Sequence, residues 1–402
     1  MKSLARSRVR VAIAAALVLA AIPSIMWWLH SRPVTLPAPT GSHSIGRVEY
    51  DWVDQTRPET FGLGHDGHRE LDVWIWYPAL LATTRQAPAP YLPPAWLSAR
   101  EQTQQPALLA HLLSQDLAVV QAHAVLNAAL DAEPAPLPVL IFQPGLGPIV
   151  PDYTALAEDL ASHGYVVVGS TPTYSSAVVA FPDGHVAKGT EAANVSDSAT
   201  TAEAQQTLDR LVQIWASDNA FVLNQLAVLN QSDPDQRFAG HLDLNRVGVW
   251  GHSFGGAAAA ETCRLDERCK AGINLDGSPY GEVVQAGLNH PFMSLWSEPS
   301  DNSDPNWLQA TSDMRRMESR LGSDGYQLVV AGSRHFNFTD GSVFYEPFLR
   351  ARGGLGPIDG ARFLRIASTY MGAFFDRYLM GQAESLLGGP STGYPEVQFL
   401  SH

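Results

Sequence analysis

The residues Gly251-His252-Ser253-Phe254-Gly255 have the form G-x-S-x-G. An apolar stretch at 246–250 (RVGVW) precedes them, and a small-residue stretch at 255–261 (GGAAAAE) follows. A strand entering a helix through so tight a turn pushes the serine Oγ out of the backbone. The glycines let strand and helix approach closely. The helix N-terminus adds partial positive charge where an oxyanion forms. Ser253 is therefore the candidate nucleophile. A serine hydroxyl needs a base, and the base needs an acid to orient it.

Three histidines follow Ser253 in the chain: His290, His335 and His402. His290 precedes an apolar run and so belongs at the wrong end of a strand, and His402 is the last residue. His335 follows the apolar run 326–333 (YQLVVAGS) and opens the loop HFNFTD, which makes it the candidate base. His252 should point away along the turn. For the acid, Asp276 stands at the end of the run 271–277 (AGINLDG), while Glu298, Asp301 and Asp304 follow the next run, 291–296. A carboxylate on the strand end itself is held more rigidly, which favours Asp276 and leaves the others open. Two backbone amides are needed for an oxyanion. The candidates are Phe254 and Leu146, the latter flanked by Gly145 and Gly147 after the apolar run 139–142.

These residues need a scaffold of alternating strands and helices. Strand-like runs stand at 47–53, 71–77, 139–142, 165–169, 246–250, 271–275, 291–296 and 326–330. Helical runs stand at 153–162, at 197–230 with Leu208, Leu211, Trp215, Val222, Leu226 and Leu229 on one face, and at 361–379. Such alternation predicts an α/β fold with a mostly parallel sheet covered by helices on both faces. In the 71–77 run, Leu71, Val73, Ile75 and Tyr77 share one side and Trp74 and Trp76 the other. The Leu/Ala/Gln-rich stretch 88–136 reads as a helical insertion, 31–45 as a linker, 46–385 as the catalytic body and 386–402 as a tail.

Lys2, Arg6, Arg8 and Arg10 precede an apolar run at 11–29. Positive charge followed by apolar residues is the pattern of a signal peptide or an N-terminal anchor. Trp27 and Trp28 at its far end, with no small-x-small site after it, favour an anchor in the membrane and an exported body. A net charge of −14 argues against nucleic-acid binding. Cys263 and Cys269 bridge only if the helix they start in ends between them; unpaired thiols are the alternative.

The chain resembles the platelet-activating-factor acetylhydrolase family of the α/β-hydrolase superfamily. The likeness rests on Trp76-Tyr77-Pro78, the loop 144–147 (PGLG), the block 243–256 (DLNRVGVWGHSFGG), the segment 272–277 (GINLDG) and 335–340 (HFNFTD). The resemblance implies an α/β-hydrolase fold. It also implies a Ser253–Asp276–His335 triad with Leu146 and Phe254 as oxyanion donors. The activity it implies is hydrolysis of short-chain or lipid esters, phospholipid acyl groups among them, without cofactor or metal. An acyltransferase and a non-catalytic binding protein are the competing readings. An acyl pocket walled by Leu146, Phe336, Phe338 and the 88–136 insertion would favour acyl chains of roughly two to eight carbons.

Overall fold

The computed structural model describes residues 30–80, 87–103, 116–133, 136–196, 200–299 and 305–401, together with a few positions between 21 and 28. Nine strands build most of an eleven-stranded sheet. They are β1 (Ser44–Pro58), β2 (His68–Leu80), β3 (Leu137–Gln143), β4 (Val166–Thr171), β5 (Leu242–His252), β6 (Cys269–Leu275), β7 (Phe292–Ser297), β8 (Gly325–Val330) and β9 (Val397–Ser401). Their spatial order is β9-β8-β7-β6-β5-β3-β4-β2-β1. Strands β3 to β8 pair in parallel, whereas the pairs β1–β2, β2–β4 and β8–β9 are antiparallel. The central β3 is buried at every position, as its unbroken apolar run requires of a strand covered on both faces.

The longer helices among the described residues are α1 (Pro94–Thr103), α2 (Thr154–Ser162), α3 (Thr201–Gln231), α4 (Phe254–Leu265), α5 (Pro305–Glu318) and α6 (Gly360–Leu379). Trp74 and Trp76 join Phe142 and Trp250 under α2 and α6, with Phe142 and Trp250 stacked at 4.1 Å. Leu71, Val73 and Ile75 face α3, α4 and α5 through Val222, Leu226, Ala260 and Met314. The period-two reading of 71–77 thus sorts its side chains onto two buried faces. Helix α3 starts at a capping box, in which Glu203 Oε2 accepts from the Thr200 amide at 2.9 Å. Helix α4 stops at Leu265, and the turn after it brings Cys263 and Cys269 into a disulfide with Cα atoms 5.0 Å apart.

Three segments differ from expectation. The 88–136 stretch is helical in α1, but 116–133 holds short strands at Val120–Gln121, Val125–Leu126 and Ala129–Leu130. The buried Glu158 of α2 accepts from the amides of His123 and Ala124, at 2.9 and 2.7 Å, and the flanking pieces pair with β1 and β2. Tertiary partners here override the helix propensity of alanine and leucine. Residues 104–115 lie outside the described ones. The 31–45 segment is laid onto the body: Leu36 is buried, and the Thr40 amide donates to Asp159 at 2.7 Å. The 386–402 segment supplies β9, which pairs with β8, and Arg362 holds Glu396 next to it. The apolar 11–29 run lies almost wholly outside the described residues; among those, no helix is long and apolar enough to cross a membrane.

Candidate active site

Parallel strands bring their C-terminal ends to one edge of the sheet. Ser253 follows β5, Asp276 follows β6, Ser297 ends β7, and His335 lies just beyond β8. Those four strands are neighbours in that order, so His335 and Asp276 meet across the end of β7.

Ser253 has φ 56° and ψ −122°, and Asp276 also has a positive φ of 56°. Such conformations cost non-glycine residues about 1–3 kcal/mol and persist only where the surroundings enforce them. The enforcement is visible. The Ser253 amide donates to Leu275 O at 2.8 Å, and the Asp276 amide to Leu295 O at 2.9 Å. A Cβ on Gly251 would stand 2.2 Å from Gly255, and one on Gly255 would stand 2.1 Å from Gln143 O. Both positions of the motif must therefore be glycine for the turn to close. Asn274 Oδ1 accepts from the Gly277 amide at 2.9 Å, and its Nδ2 donates to Gly277 O at 2.6 Å, pinning the turn that carries Asp276.

His335 Nδ1 is 2.7 Å from Asp276 Oδ2. A carboxylate only accepts, so Nδ1 carries the proton and Nε2 keeps its lone pair. The amide of Ser297 donates to Asp276 Oδ1 at 2.7 Å and its hydroxyl to Oδ2 at 2.9 Å. Asn337 Oδ1 accepts from the amides of Arg334 and Gly356, at 2.8 and 3.0 Å, and so fixes the short turn that starts at His335. Glu298, the rival carboxylate, accepts from the Gly332 amide instead, at 2.8 Å. Asp301, Asp304 and His402 lie outside the described residues.

Leu146, Ser253, Phe254, Asp276 and His335 all line one open cleft of about 560 Å³. Gly145 runs against the serine: a Cβ there would stand 3.0 Å from Ser253 Cβ. The Gly147 amide donates to Ser175 O at 3.1 Å, which fixes the loop just past Leu146. The Phe254 ring meets Trp215 edge-on at 4.8 Å, fixing the first residue of α4. The walls also include Leu208, Tyr280, Trp296 and Trp307. Phe336 and Phe338, expected in the wall, are not among the lining residues. Phe338 turns into the core against Phe363 and His252, and Phe336 faces solvent in part. No described residue of 88–136 reaches the cleft either; α1 packs near Val178–Ala180.

His252 does turn away from the cleft, yet it is not idle. Its Nε2 donates to His335 O at 3.1 Å, because a carbonyl can only accept. Its Nδ1 is then an acceptor, and takes the Tyr153 hydroxyl proton at 2.8 Å. Tyr153 Oη in turn accepts from the Gly145 amide at 3.3 Å. Burial, with the neighbouring His335 ring as a second cause, holds the His252 imidazole well below its ordinary pKa. Loop 144–147 is thereby tied to the His335 backbone through two buried side chains. The sequence reading missed Tyr153, Asn274 and Ser297. The signal for Asn274 was a polar residue inside the apolar part of its strand, 271–275.

The chain matches the family model of platelet-activating factor acetylhydrolase, isoform II, over residues 29–385. A probable 1-alkyl-2-acetylglycerophosphocholine esterase of Arthroderma benhamiae is 29% identical over 66% of this chain and 66% of its own length. The platelet-activating factor acetylhydrolase of Cavia porcellus is 27% identical over 60% of this chain and 57% of its own. The match thus spans a little under two thirds of these curated relatives. Among solved structures, a ferulic acid esterase from Streptomyces cinnamoneus superposes with a TM-score of 0.74 at 31% identity, over 92% of this chain and 100% of the other. The sheet order, the helices on both faces and this superposition make the fold that of an α/β-hydrolase. With the family model matched over most of its length, the chain belongs to the platelet-activating factor acetylhydrolase, isoform II, family.

Proposed function

We propose that the protein is a carboxylic ester hydrolase in which Ser253 is the nucleophile, His335 the base and Asp276 the acid that orients it. One observation carries this reading. Five residues from four separate chain segments line a single cleft, with His335 Nδ1 2.7 Å from Asp276.

In the proposed cycle Ser253 Oγ attacks the ester carbonyl carbon and its proton passes to His335 Nε2. Asp276 stabilises the imidazolium through Nδ1. The carbonyl oxygen becomes an oxyanion and accepts from the amides of Leu146 and Phe254. The tetrahedral intermediate collapses to the acyl-enzyme, and His335 returns the proton to the departing alcohol. Water then repeats the sequence at the acyl carbon, releasing the acid and restoring the Ser253 hydroxyl.

The substrate reading is a compact acyl ester, on a lipid or another alcohol. Three aromatic residues, Tyr280, Trp296 and Trp307, crowd the cleft. The names of the curated relatives point to acetyl esters of glycerophosphocholine, and that of the solved neighbour to ferulate esters. Both sets have small or flat acyl groups. The body is proposed to work outside the cytoplasm, on the basic-then-apolar N-terminus and the Cys263–Cys269 bridge. The test is kcat/KM across p-nitrophenyl esters from acetate to laurate, beside a short-chain sn-2 phospholipid. The expected optimum is at roughly two to eight carbons, because added methylenes clash once the walls are met. A steady rise through laurate contradicts the substrate reading, and no turnover of any ester contradicts the reaction class.

A further inference from the structure

Away from the cleft, the antiparallel edge of the sheet gathers a second set of side chains. In the β1–β2 ladder Asp51 pairs with Asp72. Glu70, two residues before Asp72, is therefore a diagonal neighbour of Asp51 on the same face. Glu70 is buried, Asp51 half-buried and His65 exposed. His65 sits in the turn between the two strands, where a pair of backbone hydrogen bonds with His68, 3.1 and 2.9 Å, fixes its position. One donor atom from each of Asp51, His65 and Glu70 lies within 4.8 Å of the other two.

Two details separate this set from an ordinary polar patch. First, Asp51 Oδ1 is buried and has no hydrogen-bond partner among the described residues, while a second carboxylate faces it. Two facing carboxylates are held together by a shared proton or by a cation between them. His65 Nδ1 stands 3.2 Å from Glu70 Oε1. That is long for a charge-assisted bond. It is close to the roughly 3.4 Å edge between ligands of a tetrahedral ion with bonds of about 2.1 Å. Second, the other oxygen of Glu70 is already committed. Glu70 Oε2 meets His185 Nε2 at 2.9 Å, and His185 Nδ1 meets Asp183 at 2.6 Å. The His185 ring is stacked on Phe181 at 4.2 Å. This outer layer leaves Glu70 Oε1 toward His65, as outer partners orient metal ligands elsewhere.

We propose that Asp51, His65 and Glu70 form a binding site for a first-row divalent cation of the zinc type, with water completing its shell. One imidazole and two carboxylates suit zinc or manganese better than calcium, which takes oxygen ligands. No spacing in the sequence announced it, because the strand ladder and the turn assemble the set. The exposed His65 gives the ion its entry, and the bound ion clamps the turn to β1.

The test is isothermal titration of the full chain, stripped with EDTA, with ZnCl2 and separately with CaCl2. The expected result is one equivalent of zinc at micromolar Kd or tighter, calcium at least tenfold weaker, and a higher Tm with zinc. His65→Ala, at an exposed position that leaves folding intact, and Asp51→Asn should each weaken zinc binding at least tenfold. No stoichiometric zinc uptake, uptake unchanged in both variants, or calcium bound as tightly as zinc would overturn the proposal.

Discussion

The two edges of this sheet use polar residues in opposite ways. At the C-terminal ends of β5 to β8, the backbone does the placing. Ser253 and Asp276 are held at positive φ by neighbouring strands, and short hydrogen bonds aim Asp276 at His335. At the antiparallel edge, side chains hold one another. Buried Arg69 donates to Asp218 at 2.7 Å, to Glu59 at 2.9 Å and to Thr173 O at 2.9 Å, joining β2 to α3 and the turn before it. Burial lowers the tendency of Arg69 to stay charged, but the facing carboxylates more than offset this and hold its proton more firmly than usual. Strained backbone at the first edge points to reactivity. Matched buried charge at the second points to fixing the fold.

Substitutions should separate the two roles, and free energy puts them on one scale. Asp276→Asn should lower kcat by about 10⁴-fold, near 5 kcal/mol, with little change in Tm, because the imidazole loses the acceptor that selects its tautomer. Asp301→Asn should leave kcat within about threefold. The reverse pattern in steady-state kinetics would move the acid to the segment after β7. Arg69→Met should do the opposite of Asp276→Asn. Removing one partner of a buried ion network costs about 3–5 kcal/mol, so thermal unfolding should fall by several degrees while kcat of the folded enzyme stays within twofold. A large kcat loss at unchanged Tm would erase the distinction between the edges. Tyr153→Phe lies between them. It removes the acceptor for the Gly145 amide and the donor to His252. We expect kcat to fall about tenfold, near 1.4 kcal/mol, with KM within twofold. An unchanged kcat would show that loop 144–147 and His335 are placed independently.

The same contrast explains what could be read from residues alone. Ser253, Asp276 and His335 each follow an apolar run that reads as a strand, and the alternation of strands and helices says which end of the sheet they share. Leu146 and Phe254 follow by the same local logic. The Arg69–Asp218 pair joins residues 149 positions apart, and Tyr153–His252 spans 99. Nothing in the spacing of either pair marks it, since the partners are chosen by the packing of α2 and α3. The extended 116–133 segment was hidden for the same reason: its alanines and leucines favour a helix, and Glu158 with the sheet edge decides otherwise. Phe338 looked like a pocket residue because it lies three positions from His335, but the short turn between them sends it into the core.

The central claim is that Ser253 is the residue that becomes acylated. The most direct measurement is mass spectrometry of the full chain after reaction with a fluorophosphonate, which phosphonylates an activated serine and stops there. One adduct on the peptide containing Ser253, absent in Ser253→Ala together with at least about 10⁴-fold of the esterase activity, is the predicted result. An adduct on another residue, or ester hydrolysis retained by Ser253→Ala, would contradict the account.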